Sequence, residues 1–203
     1  YQVLLFITVP AAVGIMILSP FIYHVLYEQS DMGAAVLAHY APVAILFALF
    51  SVTASLLQGI DYQKWIIFSL LTGVLTKLVL NIPLIKWLQV DGAILATAIG
   101  YGVTITINIF VVHKALDYQS TMVRRRILLI FILTGVMAVA VGITVTLLNT
   151  FLSADTKLMA VVYCVVGAGV GAGIYGFISF RIGLAQKLLG AKVTKIANKL
   201  GFK

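Results

Sequence analysis

The residues of this chain best suited to chemistry are a lysine and an asparagine four positions apart, Lys77 and Asn81, with Gln58 and Asn108 as weaker companions. Lys77 lies near the centre of an apolar run, 65–86, that holds thirteen residues of the Leu, Ile, Val and Phe type. At about 0.3–0.6 kcal/mol each, those residues supply roughly 4–8 kcal/mol towards membrane insertion. A lysine at the centre of such a helix costs about 2.5–3.5 kcal/mol. The segment therefore still inserts, but its ammonium needs water or a partner. An intramembrane cation of this kind faces a bundle interior or an aqueous cavity, and it marks a binding site before it marks anything else.

Other chemistries find no footing. The acids Glu28, Asp31, Asp61, Asp91, Asp117 and Asp155 stand one or two to a connection, so no carboxylate pair is placed for acid–base work. HExxH, CxxC and Walker motifs are absent, and no D-x-D-like cluster offers itself to a glycosyltransferase metal. The three histidines lack metal-ligand spacing. Gly167–Gly173 alternates glycine with small apolar residues and lacks a following Lys–Ser/Thr, so it does not cradle phosphate. The single cysteine, Cys164, sits in an apolar segment and packs as a small hydrophobe. The expectation is a protein that is not an enzyme and uses no cofactor and no metal.

Composition explains where these residues must be held. Of 203 residues 62% are hydrophobic and only 10% charged, against about 25% charged in a soluble domain. Apolar runs of membrane-spanning length, about 20–25 residues, fall at 3–26, 34–58, 65–86, 92–115, 127–149 and 158–180. The expected fold is therefore all-α, a polytopic membrane protein with six transmembrane helices. The net charge of +8 reports topology rather than nucleic-acid binding. Eleven of the 14 basic residues fall in the second and fourth connections and the C-terminal tail: Lys64, Lys114, Arg124–Arg126, Arg181, Lys187, Lys192, Lys195, Lys199 and Lys203. The positive-inside rule puts those segments, and the start of the first span, in the cytoplasm. The tail, 181–203, carries Leu184, Leu188, Leu189, Val193, Ile196 and Leu200 at helical spacing among its lysines. It reads as an amphipathic helix on the anionic inner leaflet, with a partly disordered basic tail as the alternative.

Three spans carry polar seams. In the third, Ser69, Thr72, Gly73, Thr76, Lys77 and Asn81 share one side while Leu71, Val74, Leu75, Leu78, Val79 and Ile82 cover the other. The second has Tyr40, Ala44, Ala48, Ser51, Ser55 and Gln58, and the fourth has Thr97, Gly100, Tyr101, Thr104 and Asn108. For the serines and threonines, helix packing explains the pattern as well as a cavity does. Lys77 is a poor packing residue and no span contains an acid to neutralise it. His39 falls off its span's polar stripe near the outer end and reads as interfacial, as do His24 and His113. Spans five and six contain no charge in their interiors, and Gly167, Gly169, Gly171 and Gly173 give span six two close-packing faces. Pro10 should kink span one.

These stretches have a family look. "VPAAVGIMILSPFIYHVLYE" (9–28), "PVAILFALFSVTASLLQGIDYQK" (42–64), "KLVLNIPLI" (77–85) and "DGAILATAIGYGVTITIN" (91–108) resemble late helices of the MOP flippase/exporter superfamily. Within it they are most similar to the polysaccharide-biosynthesis branch and its stage V sporulation protein B group, which includes lipid II flippases. The resemblance covers most of 9–113. It implies two pseudo-symmetric helical lobes of about fourteen spans, of which these six would be the last, with an N-terminal transmembrane half missing from this chain. It further implies alternating-access transport of an undecaprenyl-pyrophosphate-linked saccharide across the bacterial plasma membrane. The family's pyrophosphate-binding arginines would sit in the missing half. Lys77 and Asn81, then Gln58 and Asn108, are the substrate-binding candidates here. A buried ammonium suits a pyrophosphate headgroup and suits a sodium site badly, because small cations want carboxylate or carbonyl oxygens.

The expected partners are thus a lipid-linked anionic saccharide, membrane lipids and the missing half of the same protein, with no nucleic acid. A cation-coupled small-molecule exporter of the same superfamily and a non-transporting assembly factor are the alternatives. The charge pattern yields a first prediction. A reporter fused after Lys203 should be active only on the cytoplasmic side; activity confined to the outer face would invert the topology.

Overall fold

The structure is a computed structural model that describes residues 2–27, 31–116, 121–151 and 156–183. It contains α1 (Gln2–Leu26), α2 (Asp31–Tyr40), α3 (Val43–Gly59), α4 (Gln63–Leu88), α5 (Val90–Leu116), α6 (Thr121–Phe151) and α7 (Lys157–Arg181). No strand occurs among the described residues. Six helical stretches are long and apolar enough to cross a membrane: Gln2–Leu26, Gly33–Gly59, Gln63–Leu88, Val90–Ala115, Ile127–Thr150 and Lys157–Arg181. The all-α architecture expected from the sequence is what the chain adopts. The expected tail helix, 181–203, lies outside the described residues beyond Gly183.

The second of these stretches is interrupted at Ala41–Pro42, which separates α2 from α3. Proline has no N–H and disfavours helical backbone at the residue before it. The chain turns there through the tighter bonds Ala44 N–H to the Ala41 carbonyl, 3.1 Å, and Ile45 N–H to the Pro42 carbonyl, 3.1 Å. By contrast α1 continues as helix through both Pro10 and Pro20. The break in a span thus falls at Pro42.

The chain divides into two compact units. One covers His39–Ser120 and is built from α3, α4 and α5; the other covers Gln2–Ala38 and Thr121–Lys203, where α1, α6 and α7 pack on one another. In the second unit Tyr163 is fully buried and stacks on Phe21 with ring centroids 4.5 Å apart. The Tyr175 hydroxyl donates to the Phe6 carbonyl at 2.9 Å, tying α7 to α1. Of the four alternating glycines only one face is used. A Cβ on Gly167 would meet the Leu18 side chain 2.7 Å away and one on Gly171 would meet Val141 at 3.0 Å, whereas Gly169 and Gly173 have nothing within 4 Å.

In the first unit an apolar plug of Ala54, Leu57, Ile66, Val111 and Val112 closes the end where α3 turns into α4. That turn is short because Asp61 adopts φ 62°, which an aspartate tolerates, and Tyr62 N–H reaches back to the Leu57 carbonyl at 2.8 Å. At the other end α4 and α5 are separated by Gln89 alone. Gln89 sits at φ 52° and ψ −123°, a region that favours glycine, while its N–H caps the Ile85 carbonyl at 2.9 Å. Replacing Gln89 by glycine should remove that strain and stabilise the hairpin by about 1 kcal/mol. A higher thermal midpoint of the purified native protein in detergent is the expected result; a lower one would mean that the side chain itself holds the turn.

Candidate functional site

The α4–α5 hairpin is built on a seam of small and polar residues that face each other in constant register. Ser69 meets Asn108, Gly73 meets Thr104 and Gly100, and Lys77 meets Gly100. Closer to the turn Gly92 backs onto the Leu84 carbonyl. Added Cβ atoms measure how close the helices come. One on Gly73 would strike the Thr104 hydroxyl and lie 2.7 Å from the Gly100 carbonyl; one on Gly100 would lie 2.9 Å from the Gly73 carbonyl and 3.1 Å from Lys77 Cβ. Only glycine at both positions lets the backbones approach this closely.

Hydrogen bonds extend the seam and recruit α3. The Asn108 side chain is fully buried. Its Oδ1 accepts from Ser69 Oγ at 2.6 Å and its Nδ2 donates to Thr53 Oγ1 at 3.2 Å. Thr104 Oγ1 has the Gly100 carbonyl at 3.0 Å on its own helix and the Ser69 carbonyl at 3.2 Å across the seam. Asn108 therefore pins α3, α4 and α5 together, and its amide is not open to a substrate in this arrangement.

Lys77 sits at the opposite side of the glycine crossing. Its Cβ abuts Gly100 and the side chain emerges, exposed, into a groove of about 200 Å³. Phe50, Leu70, Thr97, Tyr101 and Thr104 are among the other residues lining it. No hydrogen bond or ion pair reaches the ammonium among the described residues. Tyr101 is held from behind by Phe47 and Phe50, with centroids 6.0 and 5.9 Å away. Lys77 lies about 21 Å along the helix axis from the start of α4, close to mid-membrane. The apolar side of α4, Leu71, Val74, Leu75, Leu78, Val79 and Ile82, is exposed, so the polar side of the helix is the packed one.

Asn81 is half-buried one turn further on, and its Oδ1 is buried with no hydrogen-bond partner among the described residues. Gln58 is not brought to this place. It is exposed at the C-terminal end of α3, level with the start of α4 rather than its middle. The polar stripe of the second span behaves likewise. Ser51 and Ser55 donate to the Phe47 and Ser51 carbonyls of their own helix, 2.9 and 2.8 Å, and it is Thr53 that turns inward. Of the three seams in the sequence, two are joined and the third stays on the unit's surface.

Three features were not anticipated. His39 Nδ1 and Asp91 Oδ1 lie 2.7 Å apart at the ends of α2 and α5, both largely exposed. An exposed pair of this kind contributes at most about 1 kcal/mol. Their opposite charge types at the same end of neighbouring spans were the available signal. The second is a groove of about 530 Å³ in the second unit, lined by Pro10, Gly14, Leu18, Val141 and Gly171 among other largely apolar residues. The third, at its rim, is Ser179 Oγ, buried without a partner. Glycine spacing in span six announced close packing but not a cleft beside it. Among the described residues no cluster of His, Cys, Asp or Glu could hold a metal ion.

Together these features define a polytopic helical membrane protein with an unpaired cation beside a mid-membrane polar seam. The chain is 41% identical over 197 residues to "Lipid II flippase MurJ" of Bacillus subtilis (strain 168), a match that covers 95% of this chain and 36% of that protein. It is 28% identical over 172 residues to "Uncharacterized membrane protein YabM" of the same organism, covering 84% of this chain and 31% of the relative. The chain thus spans about a third of the length of both relatives. No protein-family model matches it, and no solved structure does. The similarity to a flippase supports the family suggested by the helix motifs.

The two devices in the seam differ in cost. Asn108→Leu removes two interhelical hydrogen bonds, but Ser69 and Thr53 keep the Ile66 and Phe50 carbonyls as acceptors. Interhelical bonds in membranes average about 0.6 kcal/mol, so the loss should be about 1 kcal/mol. Gly73→Val instead forces two backbones apart and should cost about 3 kcal/mol or more. Unfolding of the purified native protein in mixed micelles should rank the variants in that order; the reverse ranking would make the hydrogen bonds, not the contact, the main tie.

Proposed function

We propose that this chain forms part of a transporter that moves a lipid-linked anionic saccharide of the lipid II type across the bacterial plasma membrane, with Lys77 meeting the charged headgroup. The single observation that carries the reading is the Lys77 ammonium, unpaired among the described residues, lining a groove beside the seam. In a low-dielectric setting such a charge is retained only if something compensates it. A phosphate group presents several acceptor oxygens to the ammonium's three donors. The name of the MurJ relative supports the cargo class. Tyr101 adds a hydroxyl at the same groove, while those of Thr97 and Thr104 donate to carbonyls of their own helix. Asn81 stands next along the seam, whereas Asn108 supports the site from behind and Gln58 stands apart from it. The C-terminus lies in the cytoplasm on this reading, as the basic connections require.

Lys77→Ala, introduced in the native gene, should abolish complementation of a flippase-deficient strain while the protein accumulates at the normal level. Lys77→Arg should keep part of the activity, because it keeps the charge while changing its shape. Full complementation by Lys77→Ala would remove this residue from transport and favour a scaffold role for the chain.

A further inference from the structure

We propose that Asn81 does not bind cargo but is the resting dock of the Lys77 ammonium, so that Lys77 has two stations and the cargo must displace it from one of them. The inference rests on the headgroup role proposed for Lys77 and concerns how that role is regulated.

Two unsatisfied groups lie one turn apart on α4. The Lys77 ammonium is without a hydrogen bond or ion pair among the described residues, and the Asn81 Oδ1 is buried without a partner. A buried carbonyl oxygen left unpaired is costly, and at mid-membrane no bulk water relieves it. Residues four apart on a helix have Cβ atoms about 5–6 Å from each other, within the reach of a lysine side chain. Helical side chains lean towards the N-terminus, so the Asn81 amide overhangs the turn that carries Lys77.

The alternatives to this pairing are few. Opposite Asn81 the register of the hairpin brings Ala96, which is fully buried and has no side-chain donor. The Thr97 hydroxyl is already committed to the Ala93 carbonyl at 2.8 Å. Among the described residues the groove around Lys77 contains no carboxylate, and Tyr101 is the only other titratable residue lining it. Asp91, the acid of α5, is engaged with His39 at 2.7 Å. Lys77 is therefore a donor within reach of Asn81, and the Asn81 carbonyl is a better acceptor for Lys77 than the hydroxyl oxygens lining the groove.

In the structure Lys77 lines the groove, and among the described residues no donor reaches the Asn81 Oδ1. That is the arrangement an arriving anion would meet. The docked arrangement folds the lysine back along α4 and satisfies both groups. A neutral amide is well matched to such a switch: a carboxylate at the same place would hold the ammonium permanently, and an apolar side chain would leave it nowhere to rest. Because only the undocked fraction binds, the dock weakens the apparent affinity for the anion by the reciprocal of that fraction.

The consequence has opposite sign to that of a direct cargo contact. The test is the apparent Kd of the purified native protein for farnesyl pyrophosphate, a short-chain lipid pyrophosphate, with thermal stability recorded for every variant. Lys77→Ala should weaken binding. Asn81→Ala should tighten it, by about three- to tenfold, because the competing station is gone. Asn81→Asp should weaken it strongly, and a structure of that variant should place Nζ of Lys77 on the new carboxylate. Weaker binding by Asn81→Ala, or no change, in a variant of normal stability would overturn the dock while leaving the headgroup role of Lys77 intact. Unchanged binding by Lys77→Ala would instead overturn the reading on which the dock rests. Should Asn81→Ala prove unstable, Asn81→Ser, which keeps a small polar group but shortens the acceptor's reach, should tighten binding in the same direction, and weaker binding would count against the dock.

Discussion

The backbone contact between Gly73 and Gly100 is the constraint on which the rest of the first unit depends. A carbonyl of each helix lies within 3 Å of where the other's Cβ would be. Nothing in hydrocarbon pushes apolar helices together, because lipid tails are as apolar as leucine. Close van der Waals contact and interhelical hydrogen bonds must do it instead. The crossing brings Ser69 against Asn108 on one side and sets Lys77 against Gly100 on the other. The same contact thus buries one polar group fully and leaves the next one open. Asn108 and Lys77 come from the same seam and have opposite fates for a steric reason, not because their chemistry differs.

This arrangement also explains how a lysine is tolerated at mid-membrane. The apolar residues of α4 point away from α5 and remain exposed, where they supply the insertion free energy. The polar residues point at α5, where most are satisfied by their own helix or across the seam. Thr72, Thr76, Thr97 and Thr104 each have a carbonyl four residues back as acceptor, at 2.8–3.0 Å. Those bonds use the hydroxyl protons, while the hydroxyl oxygens can still accept. Among the described residues the seam leaves the Lys77 ammonium, the buried Asn81 Oδ1 and the Tyr101 hydroxyl without hydrogen bonds.

The sequence made the architecture legible because bilayer thickness is a strict ruler: six runs of the right length could only be six spans. The polar sides of the third and fourth spans were legible for a similar reason, since a seam at helical spacing has to meet something. What the pattern could not supply was which seams meet. The second span's stripe has the same composition, yet Thr53, off that stripe, is the residue that turns inward. Short hydroxyl side chains satisfy themselves on their own backbone, so their spacing carries little information about partners. The place of Gln58 on the stripe likewise carries no information about depth; it stands at the end of α3, apart from Lys77. The His39–Asp91 pair depends on the break at Pro42 and the one-residue turn at Gln89, and loop geometry of that kind is not written in hydrophobic periodicity.

The two units use small residues for different ends. In the first, glycines bring polar helices together and the resulting groove offers a charge and hydroxyls. In the second, Gly167 and Gly171 bring apolar helices together, and the groove beside them is lined almost wholly by hydrocarbon. The two grooves thus differ in chemistry, with a cation at the first and hydrocarbon at the second.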